Sequence, residues 1–448
     1  MRTTVLLGAG FLSFLSGGVL AADLPARKAN PVDYVRQCSL GSFTGFVIPG
    51  TDVCLKIGGF VRYQYTYVQP VHTFYYKSGA GGYGGVNGFN VSTGGQTAVA
   101  SAQFDARVRT EYGLLRSFAD VRVDSSGAAQ IDKAYIQFGP WSFGKFQSFF
   151  DFYADAYSNI TGLGSDNTVT GAAYSFKFSD TLFLTLAIED RANALSPSNS
   201  FAAPGGIGAP TADGVGLASS IGGLTPGGYR MPDAVAQFLY DGGAEGWGSA
   251  QLSAAVHQLR VVNDLLDAQQ TTRYGWAAQA GVKVNLPMLG AGDGLYVQGA
   301  YAQGALSYIG AANNAGGFGT TVPLVQYYDA IAVGPTGSVK LASGYNVLTA
   351  LDHFWTPTFD TAAWAGYTQV NYPSGVLTGA AFSARDFGVL QVGAQANWVP
   401  AAGLKISAAA NWYQVYAETL PTDYLGGVKA VGNQAGGLQG QIRIQRDF

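Results

Sequence analysis

Apolar and polar residues alternate along several stretches of the chain, most regularly from residue 55. One face of this stretch carries Leu55, Ile57, Gly59, Val61, Tyr63 and Tyr65, and the other carries Lys56, Gly58, Phe60, Arg62 and Gln64. A period of two is typical of a β-strand whose two faces meet different surroundings. The first set suits lipid and the second suits water, so we expect a strand with a lipid-facing side.

Two further stretches, residues 102–111 and 115–124, repeat this alternation with charged inner faces. The predicted basic wall consists of Lys56, Arg62, Arg107, Arg109, Arg116 and Arg122. The acidic residues interspersed on the same faces are Asp105, Glu111 and Asp120. Charges of both signs on one face indicate a wall that lines water.

Later strands have a second face of small neutral residues. From residue 275 to 286, Trp276 and Val282 fall on one side, and Gln279 and Gly281 on the other. Only 12% of residues are charged, which is too few to cover a soluble globule of this length. A secreted β-sandwich or β-solenoid remains an alternative, but neither explains the low charge.

The first residues have the features of a secretory signal peptide. Arg2 precedes an apolar run, which ends in the small residues Ala21 and Ala22. A single membrane helix is the alternative, but the run is short and contains several glycines. We therefore predict a signal peptide at residues 1–21.

Beyond this signal no apolar block is long enough for a membrane helix, although 48% of the chain is hydrophobic. In lipid, strands satisfy all their backbone groups only in a closed barrel. The sequence thus predicts an all-β fold, a closed antiparallel transmembrane β-barrel of about 16 strands. Residues 178–181 and 398–403 are expected tight turns, and 71–95, 191–229 and 310–344 are expected long loops.

Residues with reactive side chains are few. Cys38 and Cys54 are the only two cysteines and should pair in an exported protein, although a free-thiol or metal role is possible. The three histidines are far apart, and no catalytic or phosphate-binding motif occurs. We expect no enzyme activity, no metal site and no cofactor, and the net charge of −3 gives no reason to expect nucleic-acid binding.

Several segments resemble the general porins of alphaproteobacteria, of the rhizobial and Brucella type. They include Ala22-Asp23-Leu24-Pro25, the stretch from Tyr34 to Cys38, and the stretch from Ile48 to Gly59. Residues 133–138 and 144–152 and the terminal stretch from Arg443 to Phe448 extend the resemblance over nearly the whole chain.

The resemblance implies an outer-membrane protein that assembles as a homotrimer. It also implies that the barrel assembly machinery recognises Phe448. It implies that residues 22–52 form a periplasmic segment with the disulfide loop, and that residues 49–52 form a turn at which this segment meets the last strand. The barrel would then occupy residues 53–448. Outer-membrane lipid and lipopolysaccharide would surround it.

The resemblance also implies an inward-folded constriction loop at residues 151–167. Its carboxylates, Asp151, Asp155 and Asp166, would face the basic wall across the passage. A surface loop with solvated acids is the alternative.

The predicted function is a water-filled channel for passive diffusion of ions and small hydrophilic solutes. A substrate-specific channel and a structural or adhesive barrel that acts through its outer loops remain alternatives.

Overall fold

The structure is a computed structural model that describes residues 36–72, 75–76, 93–160, 163–190, 224–226, 230–263, 269–310, 329–333, 338–374, 386–417, 430–431 and 434–448. The predicted signal peptide and most of the three predicted long loops lie outside these ranges. Among the described residues, no helix has the length and apolar character that a membrane crossing requires.

Sixteen strands form a closed antiparallel barrel, which confirms the predicted fold. Their bounds are β1 (Cys54–His72), β2 (Thr93–Thr110), β3 (Gly113–Asp124), β4 (Ala129–Phe138), β5 (Trp141–Gln147), β6 (Thr168–Lys177), β7 (Leu182–Asp190), β8 (Asp233–Asp241), β9 (Gly248–Asn263), β10 (Gln269–Asn285), β11 (Gly294–Gln303), β12 (Ser343–Thr356), β13 (Phe359–Asn371), β14 (Phe387–Ala401), β15 (Leu404–Ala417) and β16 (Gln434–Asp447).

Each barrel strand pairs with the next along the chain, and β16 pairs with β1 from Asp447 opposite Phe60 to Gly436 opposite His72. Short turns join strands at one end, for example Gly139-Pro140 between β4 and β5. Most connections at the other end are longer, among them residues 148–167 between β5 and β6. Short turns mark the periplasmic end of an outer-membrane barrel.

The two faces of the wall differ as the alternation predicts. Ile57 and Val256 point outward and are 54% and 50% exposed, because nothing in the isolated chain covers them. Gln251 points inward on the strand that carries Val256 and is only 3% exposed. The outer face is therefore apolar and the inner face polar, as a barrel in lipid requires.

A short hairpin precedes the barrel. Its strands, Gln37–Leu40 and Phe43–Val47, pair with each other, and Val47 lies opposite Cys54 at the start of β1. A disulfide joins Cys38 to Cys54, as predicted, with the two Cα atoms 5.8 Å apart. β1 extends beyond the end of β16, so the hairpin pairs with an edge of β1 that would otherwise be unpaired.

The turn at residues 48–53 joins this hairpin to β1, and Thr51 donates its backbone N–H to the carbonyl of Ile48. The barrel is closed by β1 itself rather than by the hairpin meeting the last strand. Gly59 stands where the chain end meets β1, because its N–H and carbonyl both bond to Phe448. A Cβ there would lie 2.1 Å from the carbonyl oxygen of Ser101, so only glycine fits.

Some predicted turns and loops differ from the structure in detail. The turn expected at 398–403 is shorter, because β14 continues to Ala401 and only residues 402 and 403 form the turn. Pairing with β15 shifts register between Trp398 and Ala401, where Pro400 has no N–H to donate. Within the predicted loop at 310–344, Ala330–Val333 and Ser338–Leu341 form a hairpin.

Candidate pore lining

The inward face of β2 and β3 brings two arginines to one carboxylate. Arg107 lies opposite Arg116 in the strand register, and two like charges in that position repel each other. Asp105 relieves this repulsion, since one of its carboxylate oxygens lies 2.8 Å from a terminal nitrogen of each arginine. The three side chains form a partly exposed network with a single excess positive charge.

A second network lies further along the same strands. Arg122 forms ion pairs with Asp120 at 2.9 Å and with Asp132 of β4 at 2.7 Å. Asp120 is 2% exposed and also accepts hydrogen bonds from Ser101 and Gln103. This second network contains one excess negative charge, so the wall alternates in sign over a short distance.

Arg62 of β1 has a different kind of partner. Its Nε donates to Oε1 of Gln445 at 2.7 Å, and no described ion pair includes it. Arg443 of β16 donates to Oε1 of Gln64 from Nε and from a terminal nitrogen, at 3.0 and 2.8 Å. We call the following seven inward-facing residues of β1–β4 the charged wall: Arg62, Asp105, Arg107, Arg116, Asp120, Arg122 and Asp132.

Sequence reasoning missed two members of this region, Asp132 and Arg443. The outward Ile442 and Ile444 could have revealed Arg443, because the residue between them must face inward. No such signal exists for Asp132, because the register between β3 and β4 shifts there and alternation fails across a bulge.

Three predicted lining residues lie apart from these networks. Lys56 and Arg109 are exposed near the turn end of their strands, and Glu111 lies in the two-residue turn between β2 and β3. Arg107 lies next to the N-terminal hairpin, since its guanidinium carbon is 4.0 Å from the ring centre of Phe43.

The segment between β5 and β6, residues 148–167, contacts inward-facing side chains on distant strands. Nε2 of Gln251 lies 3.0 to 3.3 Å from the carbonyl oxygens of three successive residues, 149–151. Ser253 and Gln279 both donate to the carbonyl of Phe150, at 2.9 and 2.7 Å. These donors are neutral and nearly fully buried.

The contacts continue around the barrel. Gln298 of β11 accepts from the N–H of Tyr153 at 3.0 Å, and Gln395 of β14 accepts from that of Asn159 at 2.8 Å. Asn346 of β12 donates to the carbonyl of residue 163 at 2.9 Å. We call this set of side chains the amide wall: Gln251, Ser253, Gln279, Gln298, Asn346 and Gln395.

The base of the β5–β6 segment is fixed by carboxylates. Gln147 donates from its side-chain nitrogen to Asp151 and to Asp166, at 2.7 and 2.9 Å. Asp151 also accepts the N–H of Asn167 at 2.6 Å, which draws the two ends of the segment together. Glu189 of β7 is fully buried and accepts from Ser148.

Aromatic rings stabilise the middle of the segment. The rings of Tyr153 and Tyr157 lie 5.3 and 5.1 Å from the ring of Tyr296 on β11, both edge to face. Burial raises the pKa of Tyr153 and the charge of Asp155 adds to the shift, so this phenol stays neutral. Ala154 and Asp155 have φ of 42° and 52°, so the chain bends sharply between the two tyrosines.

Comparison with known proteins agrees with this architecture. A family model described as a porin subfamily matches residues 23–434. A putative outer membrane protein of Sinorhizobium fredii is 32% identical over 175 residues, 36% of this chain and about half (49%) of that relative. Porin Omp2b of Brucella melitensis is 26% identical over 316 residues, which cover 67% of this chain and 74% of that porin.

The outer membrane channel DcaP of Acinetobacter baumannii has a similar fold. Its crystal structure superposes with a TM-score of 0.60 at 16% identity, covering 90% of this chain and 99% of that one. The family model, the curated relatives and the sixteen-stranded barrel agree, which confirms the predicted resemblance. The chain belongs to the porin subfamily and is an outer-membrane β-barrel porin.

Proposed function

We propose that the β5–β6 segment narrows this passive diffusion channel, and that ions and small hydrophilic solutes pass between the segment and the charged wall. The hydrogen bonds from the amide wall to the segment's backbone carry the proposal. A segment held against β9–β12 and β14 leaves the side of β1–β4 for water. A channel narrowed by the β5–β6 segment is what the resemblance implies.

Fixed charge along the passage would act on permeating ions. On one side lie the networks of Asp105 and Asp120, and Asp155 lies on the segment. We propose that charges of both signs across a narrow aqueous path order the water and hinder apolar solutes. No cofactor or covalent step is needed, because solutes move down their own gradients.

A single reactive cysteine tests where the passage runs. Both native cysteines are in the disulfide, so Ala156→Cys, at an exposed position of the segment, adds a unique thiol. In planar bilayers we expect long-lived conductance steps that become smaller when an anionic methanethiosulfonate reagent modifies this thiol.

Thr349→Cys, on the outward face of β12, is the matched control and should leave the current unchanged. Mass spectrometry reports whether each thiol was modified. Full modification at position 156 without any change in current would show that the segment does not line the passage.

We also propose that three copies assemble through the side of the barrel with short strands. β5 has 7 residues, whereas β10 has 17, and a lipid-exposed strand needs about 9–11 to span a bilayer. Trp141 and Phe143 are exposed on the outer face of β5, where a second copy would shield them.

Analytical ultracentrifugation in detergent tests this assembly. Wild-type protein should sediment as a trimer, and W141A with F143A should shift it toward monomer. A monomeric wild type would refute the assembly.

We also propose that lipopolysaccharide contacts this barrel, and that the barrel assembly machinery recognises the exposed ring of Phe448.

A further inference from the structure

The seam where β16 closes on β1 carries two arginines on the inner face. Arg62 lies opposite Gln445, and Arg443 lies opposite Gln64, so the two arginines are diagonal neighbours across the pair of strands. Each guanidinium bonds to the glutamine that faces it. The seam thus holds two Arg–Gln pairs side by side.

The hydrogen-bond partners of both arginines in the described part of the chain are neutral oxygens. Arg443 donates to Gln64 and also to the side-chain and backbone oxygens of Asn159, at 2.6 and 3.2 Å. The carboxylate of Asp447 accepts from Gln445 at 2.7 Å rather than from an arginine. By contrast, Arg107, Arg116 and Arg122 each form an ion pair.

The geometry of the pair is fixed in advance. The guanidinium carbon of Arg62 lies 4.5 Å from the ring centre of Phe60, and that of Arg122 lies 5.4 Å from the same ring. Phe60 is 6% exposed, so its ring is packed against its neighbours. Arg443 is held in place by hydrogen bonds to Gln64 of the neighbouring strand β1 and to Asn159 of the β5–β6 segment.

Arg62 retains unused donors. Only its Nε bonds to a described residue, which leaves the four N–H groups of its two terminal nitrogens to water or solute. Arg62 and Arg443 are half-buried and repel each other. The charges of Asp120, Asp132 and Asp447 offset part of this repulsion at Arg62, and an anion between the two arginines lowers it further. The planar fork of an arginine matches carboxylate and phosphate oxygens better than it matches a spherical halide.

We infer that Arg62 and Arg443 form a binding subsite for a small oxyanion, the carboxylate or phosphate group of a permeating solute. The inference rests on the proposed function, because the subsite lies where Asn159 of the segment approaches the seam. An oxyanion binds there transiently through the terminal nitrogens of Arg62 and the positive charge of Arg443, and then dissociates down its gradient.

Phosphate serves as the probe in planar bilayers bathed in potassium chloride. In wild-type channels the chloride current should fall as phosphate is added, and this decrease should saturate. In R62Q the half-saturating concentration should rise about tenfold, the cost of one charge-assisted contact. R62K keeps the positive charge but loses the planar guanidinium group. Its half-saturating concentration should lie between those of the wild type and R62Q.

R116Q is the matched control, because it removes the same charge from an arginine that lies on β3 rather than at the seam and that shares the carboxylate of Asp105 with Arg107. Its half-saturating concentration should change by less than about threefold, the effect of a screened charge. Heat-modifiable electrophoretic mobility checks that each variant folds, and calorimetric titration of phosphate into the detergent-solubilised porin gives a second measure of binding.

Equal losses in R62Q and R116Q would overturn the subsite, because the general field of the wall would explain both. A wild-type current that is normal in chloride but responds linearly to phosphate would also overturn it, while leaving the passive channel intact. Folded protein without any conductance steps would refute the passive channel and the subsite together.

Discussion

The two inner walls of this barrel differ in what they bind. The amide wall offers neutral donors and acceptors, and the backbone of the β5–β6 segment lies against it. The charged wall carries arginines and aspartates that bond mainly to one another. The outer faces of the two walls, by contrast, are alike, since both are apolar.

The difference has a physical reason. Burying a backbone segment against charged groups would strip water from the charges, whereas an amide satisfies a carbonyl at a much smaller desolvation cost. Charges that stay beside the aqueous path keep part of their hydration and act on ions that pass. In the proposed channel, one wall therefore holds the segment, and the other faces the solute.

The largest effect is expected from removing the amide donors. Q251A, S253A and Q279A together leave the carbonyl of Phe150 without these partners, at about 1–3 kcal/mol for each buried group left unsatisfied. We expect a roughly twofold larger and noisier single-channel conductance as the segment loosens, and a lower unfolding temperature.

T349A, on the outward face of β12, is the control for this triple variant and should change neither quantity. If the triple variant conducts like the wild type, the amide wall does not hold the segment in the passage.

A second effect is expected on the charged wall. D105N leaves Arg107 and Arg116 opposite each other without their carboxylate. The reversal potential in a salt gradient should move toward anions, with a roughly two- to threefold change in the permeability ratio. Movement toward cations would mean that these arginines do not border the ion path.

A smaller shift in the same direction is expected from the segment. D155N removes one carboxylate at the bend between the two tyrosines, and D151N with D166N removes two more. Because Gln147 bonds to both Asp151 and Asp166, we expect D155N alone to account for most of the shift in reversal potential. An equal contribution from the other two would place them on the ion path.

The smallest effect on conductance is expected from the disulfide. C38S with C54S opens a cross-link with a sequence separation of 16, worth about 3 kcal/mol to the hairpin. Phe43 should then lose its contact with Arg107, and residues 37–47 should become sensitive to protease. The current through the barrel should differ from the wild-type current by less than about 10%, because the ring of sixteen strands is unchanged. A large fall in current would show that the hairpin shapes the passage.

Local pattern was sufficient for much of the architecture. The alternation around Arg62, Arg107 and Arg122 predicted their inward faces, because successive side chains on a strand point to opposite sides whatever the tertiary context. The count of about 16 strands, the pairing of the only two cysteines and the membrane class were also predicted from the sequence. The bulge at Asp132 and the longer β14 did not, because a register shift depends on the neighbouring strand.

What the sequence by itself determined is which side of each strand meets water, a property of two-residue periodicity. Only the tertiary structure decided which charges meet. Register places Asp105 between two arginines, and closure of the ring brings Arg443 beside Arg62 from the far end of the chain. Partners so distant in sequence leave no local pattern, since cross-strand register and ring closure depend on the whole sheet.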